Sequence, residues 1–94
     1  MNSKLEISSR DGKTIIKVSG QFDFNTSRQF LEYIPELIDK TAILIDFSDC
    51  HYLDSSGLGC ILKLKKSLSD HAAKIEFFGC NEKILNVMQM MKIN

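Results

Sequence analysis

The sequence lacks tryptophan and has only one proline, five glycines and three cysteines among its 94 residues. It also lacks an excess of either charge, because 12 Lys and Arg residues balance 12 Asp and Glu residues. Binding to a phosphate backbone needs clustered positive charge, so we expect no direct nucleic acid partner. Proline-rich or glycine-rich linkers are absent from the sequence, and 94 residues suffice for one small core. We therefore expect a single domain over residues 1–94.

Long apolar runs are absent as well. The run at residues 42–45, AILI, is far shorter than the roughly 20 residues that a membrane span needs. The opening residues, MNSKLEISSRDGK, carry charge throughout and contain no apolar stretch typical of a secretory signal. We expect a soluble, cytoplasmic protein with no membrane partner. Neutral charge, and no long apolar stripe beyond those assigned to the core, favour a monomer.

The cysteines, Cys50, Cys60 and Cys80, have no C-x-x-C spacing, and only His51 and His71 are available as imidazole ligands. This pattern argues against a metal site and against a disulfide framework. We interpret the cysteines as reduced side chains in or near the core, and we expect no metal and no cofactor.

The first half of the chain predicts a hairpin and a helix. Apolar and polar residues alternate over residues 4–8, which is typical of a half-buried strand, and Asp11-Gly12 then predicts a turn before a strand over residues 14–18. Thr26 and Gln29 have the spacing of a capping box for a helix that runs to about residue 39. Pro35 should kink or break this helix near residue 34. The apolar stripe of the helix comprises Phe30, Ile34, Leu37 and Ile38.

The second half predicts two further strands, each followed by a helix. The nearly continuous apolar run at residues 42–47 is typical of a central parallel strand covered on both faces. A strand over residues 73–77 ends at Gly79, and Asn81 caps the last helix. The apolar row of the second helix comprises Gly57, Cys60, Ile61, Leu64 and Leu68, and that of the last comprises Ile84, Val87, Met88 and Met91. The order ββαβαβα predicts an α/β fold, with helices packed against a small mixed sheet.

The segment YLDSSGLG, residues 52–59, joins the central strand to a helix. Ligands and partners commonly bind at this end of parallel strands. Ser56 stands just before the helix, where a serine hydroxyl can also serve as an ordinary N-cap. A rotation of about 100° per residue from Gly57 places Leu58, Leu62 and Gly59 on the outward face. The residues therefore leave two interpretations of Ser56 open, a structural cap and a hydroxyl presented to a partner.

Enzymatic interpretations of this segment find little support. The sequence has neither G-x-S-x-G nor G-x-x-x-x-G-K-[ST], so neither a nucleophilic serine nor a phosphate-binding loop is indicated. Asp46, Asp49 and Asp54 could be placed around Mg²⁺, but carboxylates near a strand end are more often turn formers or caps. A small nucleotide-binding or hydrolytic enzyme is retained only as a minor alternative.

Residues 45–64, IDFSDCHYLDSSGLGCILKL, resemble the central motif of STAS domains, specifically of stand-alone bacterial anti-sigma factor antagonists. GQFDFNTSRQF at residues 20–30 and FFGCNEKILNVM at residues 77–88 are similar to the other conserved parts of that family, so the resemblance covers essentially the whole chain. It implies a STAS-like fold and a binding module without catalytic activity.

The resemblance further implies that an anti-sigma factor with serine kinase activity binds the unmodified protein and releases sigma factor. Phosphorylation of the second motif serine, Ser56, would end that binding, and a serine phosphatase would restore the active form; Ser55 is the less favoured acceptor. The implied partner-binding residues are Asp23, Asp54, Ser55, Gly57, Leu58, Gly59 and Leu62. A STAS subunit that regulates another partner, such as a transporter ATPase, or a stress-signalling scaffold, is the alternative within the same fold.

Overall fold

The computed structural model describes residues 3–37, 42–69 and 74–90. These residues form four strands and three helices in the predicted order ββαβαβα, and the predicted α/β class is confirmed. The elements are β1 (Lys4–Arg10), β2 (Lys13–Phe22), α1 (Phe24–Leu37), β3 (Ala42–Leu53), α2 (Ser55–Ser69), β4 (Lys74–Phe78) and α3 (Glu82–Met90).

The four strands form one mixed sheet in the order β1-β2-β3-β4. β1 and β2 are antiparallel, whereas β3 is parallel to both β2 and β4. Asp11 and Gly12 close the hairpin with φ angles of 52° and 80°, the left-handed conformation that a two-residue hairpin turn requires. The predicted turn is therefore confirmed, and it sets the register that pairs Arg10 with Lys13.

The core lies between the sheet and the helices and contains buried residues from all three helices. Ile16 pairs with Ile45 in the sheet, and both side chains are fully buried. The Phe22 ring lies 5.6 Å from that of Phe30 on α1 and 6.2 Å from that of Phe47 on β3, measured between centroids. These aromatic contacts join the strands to the first helix, so burial of apolar area stabilises sheet and helix together.

Burial along β3 differs from the prediction of a central strand covered on both faces. Ile43, Ile45 and Phe47 are buried, but Ala42, Leu44 and Asp46 between them are half-exposed. Buried and half-exposed residues thus alternate over residues 42–47, as in a strand that is covered on one face. The long apolar run thus overstated the burial of the central strand.

The edge strand β1 is also more exposed than its alternating pattern predicted. Ile7 is 36% exposed, whereas Leu5, the other apolar residue of this strand, packs against the core. An edge strand has a neighbouring strand on one side only. Its side chains therefore have fewer neighbours and are more exposed to solvent than those of a central strand. The prediction of a half-buried first strand is therefore wrong for Ile7.

The first helix continues through Pro35 as far as Leu37, so the predicted break near residue 34 is wrong. Proline removes one amide donor, but near the end of a helix the remaining backbone bonds hold the last turn. The predicted continuation to residue 39 lies outside the described residues.

The predicted apolar rows of the helices are confirmed wherever the structure describes their side chains. Phe30 and Leu37 of α1 are buried, as are Gly57, Cys60, Ile61 and Leu64 of α2 and Ile84 and Met88 of α3, while Val87 is half-buried. The side chains of Ile34, Ile38, Leu68 and Met91 lie outside the described set. A period of 3.6 residues therefore identified the inward face of each helix.

Candidate functional site

The three described helices begin in the same way. The side-chain oxygens of Asp23, Asp54 and Asn81 each accept a hydrogen bond from the amide three residues later, at 3.1, 2.9 and 2.9 Å. Such side-chain acceptors satisfy backbone donors that the first turn of a helix leaves free. Because each helix follows a parallel strand, the three helix N-termini lie at the carboxyl-terminal edge of the sheet, where partners commonly bind.

The first of these caps corrects a prediction. Asp23, and not Thr26, caps α1, and the helix begins at Phe24. The Thr26 side chain is buried and donates its hydroxyl to the carbonyl of Gln21 at 3.0 Å. Thr26 therefore links the start of α1 to the end of β2, through a local contact that the capping-box spacing did not indicate.

The second cap corrects the structural interpretation of Ser56. Asp54 accepts from the Gly57 amide, so α2 begins at Ser55 and Ser56 is its second residue. Within residues 3–37, 42–69 and 74–90, no hydrogen-bond partner is found for the Ser56 hydroxyl, and the side chain is partly exposed. Ser56 is thus not the N-cap, and its hydroxyl is accessible to solvent.

Gly57 fits the start of α2 closely against the strand ends. A Cβ atom at this position would lie 2.5 Å from the Phe22 carbonyl oxygen and 2.7 Å from Cδ1 of Leu53. The Asp54 amide donates to the same Phe22 carbonyl at 3.3 Å. Close backbone packing and this bond fix the first turn of α2, and with it Ser56, relative to the sheet.

Asp23 and Asp54 lie at neighbouring strand ends. Phe22 pairs with Leu53 in the sheet, and the two aspartates are the next residues of their chains. Both are partly exposed, and both carboxylates are engaged as caps. The structure therefore brings Asp23 to the same sheet edge as the motif, where it contributes negative charge.

The outward face of α2 agrees only in part with its helical projection. Gly59 is exposed, and a Cβ atom there would meet nothing within 4 Å. Leu58 and Leu62 are half-buried and pack against the core. The two leucines thus stand on the flank of the helix, because the apolar stripe is wider than the projection assumed, and the prediction that they face outward is corrected accordingly. Ser55, the other motif serine, is exposed.

Two exposed aromatic side chains at this edge were missed by sequence reasoning. Phe24 is 61% exposed and Tyr52 is 53% exposed. The Arg28 guanidinium lies over the Phe24 ring, 5.9 Å from its centroid. Recognition of Asp23 as the cap would have placed Phe24 in the first turn of α1, beside the motif. The edge therefore presents apolar rings together with acidic groups.

The other carboxylates considered for a metal are engaged elsewhere. Asp46 accepts from the Ser48 amide at 2.8 Å, and Asp49 lies 2.9 Å from the Lys17 ammonium, which raises the pKa of Lys17. Over the described ranges, no group of three or more His, Cys, Asp or Glu side chains is arranged to hold a metal ion. This geometry agrees with the interpretation of Asp46 and Asp54 as a turn former and a cap.

The three cysteines are buried or half-buried. Burial raises the pKa of Cys60 to about 12, and burial also raises the pKa values of Cys50 and Cys80. Thiols in such surroundings stay protonated at neutral pH and are poor nucleophiles. The prediction that these residues lie in or near the core is confirmed, since Cys50 and Cys60 are buried and Cys80 is half-buried.

None of the helices described here is both long and apolar enough to cross a lipid bilayer.

Comparisons with known proteins identify the family and support the fold. The family model of the STAS domain matches residues 4–94. An anti-sigma-B factor antagonist of Listeria monocytogenes is 30% identical over 93 residues, which cover 96% of this chain and 82% of that protein.

Solved structures of the anti-sigma factor antagonist SpoIIAA share the fold. The unphosphorylated form has a TM-score of 0.78 and 24% identity, and covers 95% of this chain and 83% of its own. The phosphorylated form, described as a Bacillus cell fate determinant, has a TM-score of 0.79 and 23% identity, and covers 98% and 85%. With the family match over residues 4–94 and the motif at residues 52–59, these likenesses lead to one conclusion: the chain belongs to the STAS-domain family.

Proposed function

We propose that this protein is an anti-sigma factor antagonist that acts in the cytoplasm as a monomeric binding module without catalytic activity. Its unmodified form binds an anti-sigma factor that is also a serine kinase, and sigma factor is released. Phosphorylation of Ser56 by that kinase ends the binding, and a serine phosphatase restores the unmodified form. The anti-sigma-B factor antagonist of Listeria supports the choice of partner, and the geometry of the motif supports the choice of residue.

The observation that carries the proposal is the state of the Ser56 hydroxyl. It is partly exposed at the start of a helix, and the capping function that would otherwise explain a serine there belongs to Asp54. Gly57 fixes the same turn against Phe22 and Leu53. Neighbouring residues fix the position of this hydroxyl, and the hydroxyl makes no hydrogen bond on which the fold of the described residues depends. Such a hydroxyl is suited to modification by another protein.

A phosphate on Ser56 is compatible with the folded domain. It adds about −1.5 to −2 charges at neutral pH, in the first turn of α2, where free amides and the helix dipole favour an anion. The hydroxyl gives up no hydrogen bond within the described residues when it is esterified. The negative charge of Asp54 offsets part of the dipole's benefit, so we expect little net change in the free energy of unfolding.

The same phosphate opposes binding of a partner that covers this edge. Such a partner would contact the exposed rings of Phe24 and Tyr52 and approach the helix backbone at Gly59. It would then have to remove water from a doubly charged group that lies near the carboxylates of Asp23 and Asp54, which is costly without a matching arginine. A penalty of about 3 kcal/mol weakens binding roughly a hundredfold.

Ser55 is the alternative acceptor, because it is exposed and directly adjacent. Ser56 is favoured by its position in the motif, and the two residues differ by one helical step of about 100°. A kinase that binds the α2 surface in one orientation would therefore place only one of the two serine hydroxyls next to ATP.

Mass spectrometry of the protein isolated from its native cells tests the proposal. We expect a phosphopeptide that carries the modification at Ser56 and disappears after phosphatase treatment. The unmodified fraction should be isolated together with an anti-sigma factor of the serine kinase class. Phosphate at Ser55, or a partner of another class that binds regardless of phosphorylation, would contradict the assignment.

A further inference from the structure

A groove lies between the end of β3 and one side of α3. It encloses about 360 Å³ and is separate from α2, none of whose residues line it. The side-chain amide of Asn81 donates to the Cys50 carbonyl at 3.3 Å and thereby ties the start of α3 to β3. This hydrogen bond joins β3 and α3, the two walls of the groove, so the groove is already formed without a ligand.

The walls of the groove are apolar. Leu53 and Ile84 form its buried floor, and the half-buried Val87 and the exposed ring of Tyr52 form its sides. Apolar clefts of roughly 300–1,000 Å³ with a few polar groups are typical of small-molecule sites, and such sites favour the carboxyl ends of parallel strands. The volume and the place of this groove meet both criteria.

The rim of the groove is polar and carries one positive charge. Lys83, Asn86 and His51 line it with groups that can donate hydrogen bonds, and none of the groove's lining residues is acidic. Lys83 has no ion-pair partner among the residues that the structure describes. An anionic group at the rim would therefore meet the Lys83 ammonium and two further donors.

We propose that this groove binds a small amphipathic carboxylate, with its apolar chain along Tyr52 and Val87 and its carboxylate beside Lys83. At about 30 Å³ for each water molecule, the volume holds roughly a dozen waters, which corresponds to a ligand of about ten non-hydrogen atoms. A single lysine matches one carboxylate better than a doubly charged phosphate. The groove shares Tyr52 with the proposed partner-binding edge, but it contains no residue of α2 and does not depend on the phosphorylation of Ser56.

Titration of the ¹⁵N-labelled protein with octanoate, followed by amide chemical shifts, tests the proposal. We expect saturable shifts confined to residues 51–53 and 83–87, with a dissociation constant in roughly the millimolar range or below. The uncharged analogue 1-octanol should bind more weakly. Shifts that fail to saturate, that spread over the surface, or that 1-octanol produces with equal affinity would overturn the proposal.

Variants locate the site and its charge. Lys83→Gln should weaken octanoate binding about threefold, as expected for one exposed charge pair, whereas the matched variant Lys63→Gln on α2 should leave it unchanged. Val87→Phe, confirmed as folded by circular dichroism, should fill the groove and abolish the saturable shifts. Unaltered binding in Lys83→Gln, or in folded Val87→Phe, would refute the proposed position.

Discussion

The Asp54 carboxylate accepts a hydrogen bond from the Gly57 amide at 2.9 Å, across the two serines that lie between them in the motif. Asp54 therefore caps the helix that carries Ser56. The structural function of this turn and its proposed function as a phosphorylation site belong to different residues. Asp54 and Gly57 hold the turn in place, while Ser56 supplies a hydroxyl that the domain can lose without losing a structural bond.

This division predicts unequal costs of substitution. Asp54→Ala should lower the free energy of unfolding by about 1 kcal/mol, because it removes the N-cap, whereas Asp54→Asn should retain most of the stability. Ser56→Ala should change stability by less than about 0.5 kcal/mol. Urea unfolding of the three variants measures this order. A larger loss in the free energy of unfolding for Ser56→Ala than for Asp54→Ala would show that the serine is the N-cap.

The two motif glycines are predicted to differ in their response to alanine. Gly57→Ala places a methyl group against the Phe22 carbonyl and should destabilise the domain by about 1–3 kcal/mol. Gly59→Ala meets open space within a helix and should stabilise it by about 0.5–1 kcal/mol. Thermal unfolding of the pair tests this contrast, and similar melting temperatures would show that the start of α2 is not packed as described.

Exposed Phe24 gives a prediction for the partner-binding edge. Phe24→Ala should reduce affinity for the anti-sigma factor about tenfold or more, as is common for aromatic contacts, with little change in stability. Tyr33, an exposed aromatic further along α1, provides the matched control as Tyr33→Ala. Calorimetric titration with the partner measures both, and equal effects of the two substitutions would place the interface elsewhere.

Burial of Cys60 predicts a loss of stability at alkaline pH. The pKa is raised from 9.0 to about 12, so the folded state holds its proton where the unfolded chain has released it. Stability from this group is complete below pH 9 and falls as pH rises from 9 towards 12, with a slope of at most about 1.4 kcal/mol per pH unit.

Urea unfolding between pH 8 and 10.5 measures that slope. Cys60→Ala should be less stable at pH 8 but should lose stability less steeply as pH rises. Lys17, whose pKa Asp49 raises, also loses its contribution at high pH and is common to both proteins. Equal slopes in the parent and in Cys60→Ala would show that the thiol ionises in the folded state.

Local rules predicted those parts of the fold that neighbouring residues determine. The turn at Asp11-Gly12 needs two residues in the left-handed region, and the sequence places suitable residues there. The inward positions Ile61 and Ile84 follow from helical periodicity, since each helix has one apolar side. Because these features depend on short stretches of chain, the sequence alone was sufficient for them.

Features that depend on tertiary contacts were predicted less well. Thr26 was assigned as the cap of α1, but Asp23 performs this role. For Ser56 a cap was one of two open interpretations, and Asp54 is the cap instead. The cap predicted for α3 is confirmed. Several side chains within one turn can act as caps, and which of them caps the helix depends on where the preceding strand ends. The exposure of Phe24 likewise depends on what packs above α1, which periodicity does not specify.

The affinity of the cognate anti-sigma factor for the parent protein and for Ser56→Asp tests the central claim most directly. Calorimetric titration should show binding weakened roughly a hundredfold in Ser56→Asp, with circular dichroism and melting temperature unchanged. Ser56→Ala should bind as the parent does and accept no phosphate from ATP. Equal affinities for the parent and Ser56→Asp, with both proteins folded, would contradict the account.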